Sequence, residues 1–325
     1  MENKHNIKVE ANLIASYKNG NYNVELYDDG TKIRFGEVDD FVPEFPENID
    51  VCITKRCNGG CPYCYEGCTP GGKHGDIGAF DCYGQFHLPK WMESLKPGTE
   101  LALNGNDLTH PYLESCLDAL SDQGIITNMT INQRHLANNL AKLRLWQKRG
   151  WIHGLGISLS NSNDEFLYTA LASLKNVVLH VIAGIFTVED LMNLQAISPK
   201  LLILGYKNIG RGTKFMRKNQ DNISANIEML KLNLPIMQRY FNVLSFDNLA
   251  IEQLDVKNTL FKGDEKKWST FYMGDDGGFT MYIDTVNGKY SKNSCMPAKE
   301  RYKIGEKTSI TMFNDIRKRY NINYK

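Results

Sequence analysis

Four of the eight cysteines lie between Cys57 and Cys68, in the run Cys57-Asn58-Gly59-Gly60-Cys61-Pro62-Tyr63-Cys64-Tyr65-Glu66-Gly67-Cys68. Thiolates at such spacing select soft metals: zinc, copper(I) or an iron–sulfur cluster. Four thiolates close a site, as in a zinc knuckle or an electron-transfer cluster. Three leave a coordination position for a reacting molecule. Cys57, Cys61 and Cys64 supply the open set, and Cys68 completes the closed one. The start, Met1-Glu2-Asn3-Lys4-His5, has no apolar signal-peptide core. A cytoplasmic, reducing compartment is the expectation, and there clustered thiols bind metal more often than they pair. Cys52, Cys82, Cys116 and Cys295 are scattered, and lone cysteines of this kind read as small hydrophobes.

The elements around this run have a clear rhythm. Short apolar segments at Ile49–Thr54, Glu100–Asn104, Ile125–Ile131, Gly154–Ser160, Asn176–Ile182, Leu201–Tyr206 and Asn242–Phe246 read as strands. Helix-like stretches intervene at Tyr112–Gln123, Arg134–Arg149, Asp164–Leu174 and Thr187–Gln195. Repeated β-α units predict a parallel sheet with helices outside it, a full or partial β/α barrel. The cysteines then occupy the loop at the C-terminal end of the first strand, the end where such barrels carry active sites. Residues 1–45 read as a three-strand meander with turns at Asn19-Gly20 and Asp29-Gly30, residues 46–246 as the barrel, and residues 247–325 as a C-terminal part. That last part holds a turn over Gly274–Gly278, a strand over Phe279–Asp284, a hairpin signal at Asn287-Gly288 and a helix over Ser309–Arg319. The meander and the hairpin could pair into an accessory sheet that grips a peptide by strand addition, or complete the core.

The C-x3-C-x2-C spacing, with Tyr63 just before the last cysteine, resembles the radical S-adenosylmethionine (SAM) superfamily. The resemblance covers about residues 48–246 and implies a partial (β/α)6-type barrel with small terminal β additions. It implies that Cys57, Cys61 and Cys64 hold a 4Fe-4S cluster whose fourth iron chelates SAM. It further implies reductive SAM cleavage to a 5′-deoxyadenosyl radical, which takes a hydrogen atom from the substrate. The cofactor then carries the hard chemistry and the protein positions it. Tyr63 and polar residues at later strand ends become the expected cofactor contacts. After the second strand, Asn104-Gly105-Asn106-Asp107 stands where the superfamily carries a Gly-Gly-Glu-Pro-like motif, and only Gly105 matches. Asn132 ends the third strand, and Ser158 and Ser160 end the fourth. Gly205, on the sixth, permits close approach of an adenine.

The substrate is less legible. With Lys+Arg 38 against Asp+Glu 37, the net charge is +1, and no nucleic-acid or membrane partner is expected. At 42% hydrophobic, the 325-residue chain has material for a sizeable core. Among superfamily members, peptide epimerases use a distant cysteine as hydrogen donor, which makes Cys295 the candidate here. The resemblance implies a peptide or protein substrate, with epimerisation or cross-linking as possible outcomes, or else a small metabolite. It also implies a one-electron reductant such as flavodoxin or ferredoxin. A zinc or electron-transfer module is the alternative from another class.

Overall fold

A computed structural model of the chain describes residues 11–38, 40–195, 200–272 and 276–322. Met1 to His5 lie outside the described residues, as do Gly274 and Asp275 of the expected turn. Three strands, β1 (Leu13–Asn19), β2 (Tyr22–Tyr27) and β3 (Lys32–Phe35), form a separate antiparallel sheet. The main sheet starts with β4 (Asn48–Cys52). A short hairpin follows in the segment after the cysteines, β5 (Ala79–Phe80) with β6 (Phe86–His87). Then come β7 (Glu100–Asn106), β8 (Ile126–Asn132), β9 (Gly154–Ser158), β10 (Val177–Ile182), β11 (Lys200–Leu204) and β12 (Val243–Phe246). The last strands are β13 (Thr280–Asp284), β14 (Lys289–Ser291) and β15 (Tyr302–Lys303).

The ten-stranded order is β12-β11-β10-β9-β8-β7-β4-β13-β14-β15. All neighbours from β12 to β13 run parallel, and the last two pairs are antiparallel. The chain is therefore an α/β protein with a large, mostly parallel sheet. Among the described residues its edges, β12 and β15, do not pair with each other, so no closed barrel forms. The seven expected barrel strands are all present, each within two residues of its expected bounds.

Helices α1 (Lys90–Glu93), α2 (Leu113–Asp122), α3 (Leu136–Lys148), α4 (Glu165–Leu171), α5 (Val188–Leu194) and α6 (Arg211–Met237) cross between strands. They are followed by α7 (Asn248–Gln253), α8 (Val256–Phe261), α9 (Glu265–Phe271) and α10 (Ser309–Arg319). The long α6, absent from the sequence-based expectation, kinks at Asn219, whose φ/ψ are not helical. Along most of the parallel strands alternate residues are buried under these helices, for example Ile49 and Val51, Leu101 and Leu103, Leu179 and Val181, Leu201 and Ile203. The period of two puts the intervening residues on the other face. There Asp50, Ala102, Asn128, Gly156, His180 and Leu202 line a cavity.

The meander and the C-terminal hairpin do not form an accessory sheet. β13 pairs with β4 over Asn48–Cys52 and extends the main sheet, while the meander stays apart. Ile14, Leu26 and Tyr27 of the meander instead line one end of the cavity. It is fastened there by charge: Lys32 lies 2.7 Å from Glu100 at the start of β7, and Lys200 Nζ donates to the Asp28 carbonyl at 3.3 Å. Among the described residues no helix is long and apolar enough to cross a membrane.

Candidate functional site

The cysteine run leaves the C-terminal end of β4 and lies across the end of the cavity opposite the meander. Two asparagines of β7 fix its approach. Asn104 accepts from the Ile53 N–H at 2.6 Å and donates to the Thr54 carbonyl at 3.2 Å. Asn106 donates to the Thr54 and Arg56 carbonyls at 3.1 and 3.2 Å, and contacts Cys68 Sγ at 3.4 Å. Asn106 sits just past a register shift with φ at +51°, a conformation Asn tolerates better than most residues. Gly105 points the other way: a side chain there would meet Leu108, Met129 and the Thr130 carbonyl. Glycine at 105 thus serves strand packing, while the flanking amides serve the loop.

The end of β8 holds the loop from the next strand. Asn132 Nδ2 lies 3.5 Å from Cys61 Sγ, and Arg134 donates to the Gly59 carbonyl. Cys57 Sγ accepts from the Gly59 N–H at 3.3 Å and stands 3.4 Å from His135 Nε2. From α6, Arg211 donates to the carbonyls of Cys61 at 3.1 Å and Cys68 at 2.7 Å. Phe215 packs edge-on against Tyr63 at 5.6 Å. Gly60, with φ at +66°, makes the turn into Cys61. His135, Arg134 and Arg211 were not expected from the sequence, because only the packing of β8 and α6 brings them to the loop.

Cys57, Cys61, Cys64 and Cys68 all line the same cavity of about 590 Å³. Their thiols differ in acidity. Burial pushes the Cys57 thiol up. A hydrogen bond from Cys68 lowers Cys64, with help from nearby Arg211, and the same bond raises Cys68. Cys64 is more thiolate-prone than Cys57, and its present partner is the cysteine outside the three-residue motif. Among the described residues no group of three or more His, Cys, Asp or Glu side chains is gathered as if around a single metal ion.

The other expected positions divide. Tyr63, Asn132 and Ser158 face the cavity. Ser160 is outside its lining, and its N–H donates to Gln133 Oε1 at 2.8 Å. Gly205 lies on the lining, but the close neighbour that its missing side chain admits is the first turn of α7: a Cβ there would come within 2.7 Å of the Ala250 nitrogen. Cys295 is exposed and outside the lining, on the rim beside Lys207.

The cavity lining adds three further groups. Asp50 projects from the middle of β4, and burial raises its carboxyl. Asp247 caps α7, accepting from the Ala250 and Gly205 N–H groups, each at 2.8 Å. Lys207 donates to Ser294 Oγ at 3.0 Å and lies 4.2 Å over the Tyr65 ring. Burial pulls Lys207 down, but Tyr65, Asp247, Cys295 and Asp50 outweigh it and push the ammonium up to about 12.

His180, on β10, lies flat against Gly156, where a Cβ would come within 2.6 Å of its Nε2. Burial lowers it from 6.5 to about 4. Between those values the unfolded chain binds a proton that the folded chain refuses. The stability tied to a neutral His180 is therefore complete above about 6.5 and is lost as pH falls toward 4, at most ~3 kcal/mol after screening by cavity solvent. His180→Gln should flatten the pH dependence of denaturant midpoints across that window. Parallel curves for the two proteins would show that His180 is not desolvated.

No family model matches the sequence, and no curated protein matches it.

Proposed function

We propose that the chain is a radical SAM enzyme. The observation that carries this reading is the placement of Cys57, Cys61 and Cys64 on one loop that leaves the C-terminal end of a parallel strand and opens onto a large cavity. The fold supports it in two ways. Strands β4 and β7 to β12 follow one another in consecutive order, and one face of them lines a single cavity, as a partial (β/α)6-type barrel requires.

The residues fit a 4Fe-4S cluster in donor chemistry. Three thiols face the cavity, one of them made acidic; N–H groups of Gly59 and Asn132 stand at two of the sulfurs, and His135 Nε2 lies 3.4 Å from that of Cys57. Hydrogen bonds of this kind stabilise and tune cluster thiolates. The ligands of a cubane each bind a different iron, so they need not converge on one point. When bound, the cluster with SAM supplies a 5′-deoxyadenosyl radical able to take a hydrogen atom from a substrate. The chain's own part is positional. Asn104, Asn106, Arg134 and Arg211 hold the loop, Tyr63, Asn132 and Ser158 offer contacts to SAM, and Ile14, Leu26 and Tyr27 of the meander line the far end. The electron comes from a one-electron reductant of the flavodoxin or ferredoxin kind.

A peptide or protein side chain entering from the cysteine end is the first substrate reading. A small metabolite is the second, favoured by the meander residues that line the other end. The Cys64–Cys68 contact favours a closed four-cysteine module as the non-enzymatic alternative. One experiment decides: purify without oxygen, reconstitute with iron and sulfide, add SAM and a reductant, and measure 5′-deoxyadenosine. Formation supports the proposal; a colourless, zinc-loaded protein forming none overturns it.

A further inference from the structure

The exposed residues of the cysteine run, Asn58, Gly60, Pro62 and Gly67, carry no charge, and its single acid, Glu66, pairs with Lys55. The surroundings of the run are of one sign. Arg134, from the end of β8, and Arg211, from α6, direct their hydrogen bonds to uncharged loop carbonyls, those of Gly59, Cys61 and Cys68. Beyond Arg211 the helix continues the pattern. Arg211, Lys214, Phe215 and Lys218 stand at i, i+3, i+4 and i+7, one face of α6. Arg211 and Phe215 fix that face against the loop, the second through the Tyr63 ring at 5.6 Å. The exposed Lys214 and Lys218 therefore stand beside the cysteines, with exposed Arg217 next to them.

These charges are not matched locally. Among the described residues Arg134, Arg211, Lys214, Arg217 and Lys218 form no ion pair. The acid on the β7 side, Asp107, already faces Arg56 at 3.8 Å. Residues 191–220 hold six Lys and Arg and no Asp or Glu, in a chain whose net charge is only +1. Such an asymmetry steers an acidic partner to this end of the molecule and turns a basic one away. The helix is also in backbone contact with the loop. The Arg211 N–H donates to the Cys64 carbonyl at 3.2 Å, and a side chain at Gly210 would strike the Tyr65 carbonyl. A partner seated on the first turns of α6 is one peptide layer from the thiols.

We infer that the first two turns of α6, with the exposed rim of the cysteine loop, form the docking face for an acidic one-electron carrier protein. The inference rests on the radical reading, which makes the loop the electron's destination. Electron transfer weakens steeply with distance, and this face brings the carrier close to the cluster ligands. Redox encounters use small, transient interfaces, so a patch of this size suffices. The carrier loses one electron to the bound cluster, and no bond forms or breaks at the docking face.

The test uses the full-length protein, with flavodoxin as the acidic carrier, and reads binding by surface plasmon resonance. The triple variant Lys214→Glu, Arg217→Glu, Lys218→Glu should weaken binding at least about tenfold, and added salt should weaken wild-type binding. A charge-matched control, Arg144→Glu, Lys148→Glu, Lys175→Glu, reverses three exposed cations at the other end of the sheet and should bind like wild type. In the reconstituted enzyme, flavodoxin-driven 5′-deoxyadenosine formation should fall with binding in the first variant. Formation driven by photoreduced deazaflavin, a small uncharged reductant, should keep the wild-type rate, which also shows that the variant folds. Equal flavodoxin binding by wild type and the first variant, an equal loss in the control, salt-insensitive binding, or equal losses with both reductants would each overturn the inference. So would a polyglutamate peptide that binds this face when flavodoxin does not, since the face would then belong to an acidic substrate. Failure of the radical reading looks different: no 5′-deoxyadenosine with either reductant, with the binding contrast intact.

Discussion

Alanine at Cys57, Cys61 or Cys64 is expected to abolish both the iron–sulfur chromophore and 5′-deoxyadenosine formation, while Cys68→Ala retains them. With only three thiolates available to a cluster, loss of one leaves two irons without protein ligands. Cys68 stands apart because its thiol acts as hydrogen-bond donor to Cys64 and is buried under Asn106 and the Arg211–carbonyl contact. Removing it frees Cys64 to turn toward metal. Graded effects are expected one layer out. His135→Leu strips a partner from the Cys57 sulfur, and such losses cost about 10–100-fold in metal affinity or activity. Iron and sulfide analysis with absorbance checks each variant. Loss of the cluster in Cys68→Ala, with retention in any one of the other three, would reverse the assignment and favour the closed four-cysteine site.

The largest effect on stability is expected at Glu47. Its carboxylate is fully buried and receives Arg34 through two contacts of 2.9 Å, Lys32 at 3.4 Å and the Tyr22 hydroxyl. Burial alone would raise this carboxyl, yet Lys32 and Arg34 outweigh it and hold it below its ordinary value. The Glu47 backbone joins in, with its N–H on the Phe279 carbonyl at 2.8 Å and its carbonyl accepting from Glu100 at 2.9 Å. One residue thereby ties the meander, the strand that leads to the cysteines and the C-terminal segment together. Glu47→Ala takes the carboxylate from Arg34 and leaves Lys32 with Glu100 as its acid partner, and should cost about 3–5 kcal/mol. Exposed Glu44, three residues earlier, should change stability by less than about 0.5 kcal/mol when made alanine. Urea denaturation of the pair measures the contrast. Equal midpoints would mean that the meander is not held by this network.

Much of this arrangement is legible in the sequence, and particular residues show where legibility stops. The β-α rhythm marks seven of the eight parallel strands because most of them bury an apolar stripe under a helix. The cavity face leaves a fainter trace. Asn104, Asn106, Asn128 and Asn132 recur on alternate positions of β7 and β8, and that polar stripe was the available sign of a wet interior. The destinations of the terminal strands were not available, since Lys32 and Glu100, or Asp284 and Cys52, meet only through long-range pairing. The same holds for His135 at Cys57 and for the Asp50–Lys207–Asp247 set, whose members come from distant strands and loops. Gly205 shows a different limit: the sequence announces a close approach but not by what, and in the structure that neighbour is α7.

The pairing of β13 with β4 has a temporal side. The cysteines are made in the first quarter of the chain, but the strand that carries them gains its second neighbour only when Thr280–Asp284 has been made; Thr285 reaches back 233 residues to the Cys52 carbonyl. Contacts of such separation form late. The loop is therefore synthesised long before it is clamped, so a nascent chain carries reactive thiols on a half-supported strand. Under the proposed reading the cluster would be loaded after completion of the polypeptide, and a shortened chain ending before β13 is expected to take up no cluster while keeping Cys57, Cys61, Cys64 and Cys68.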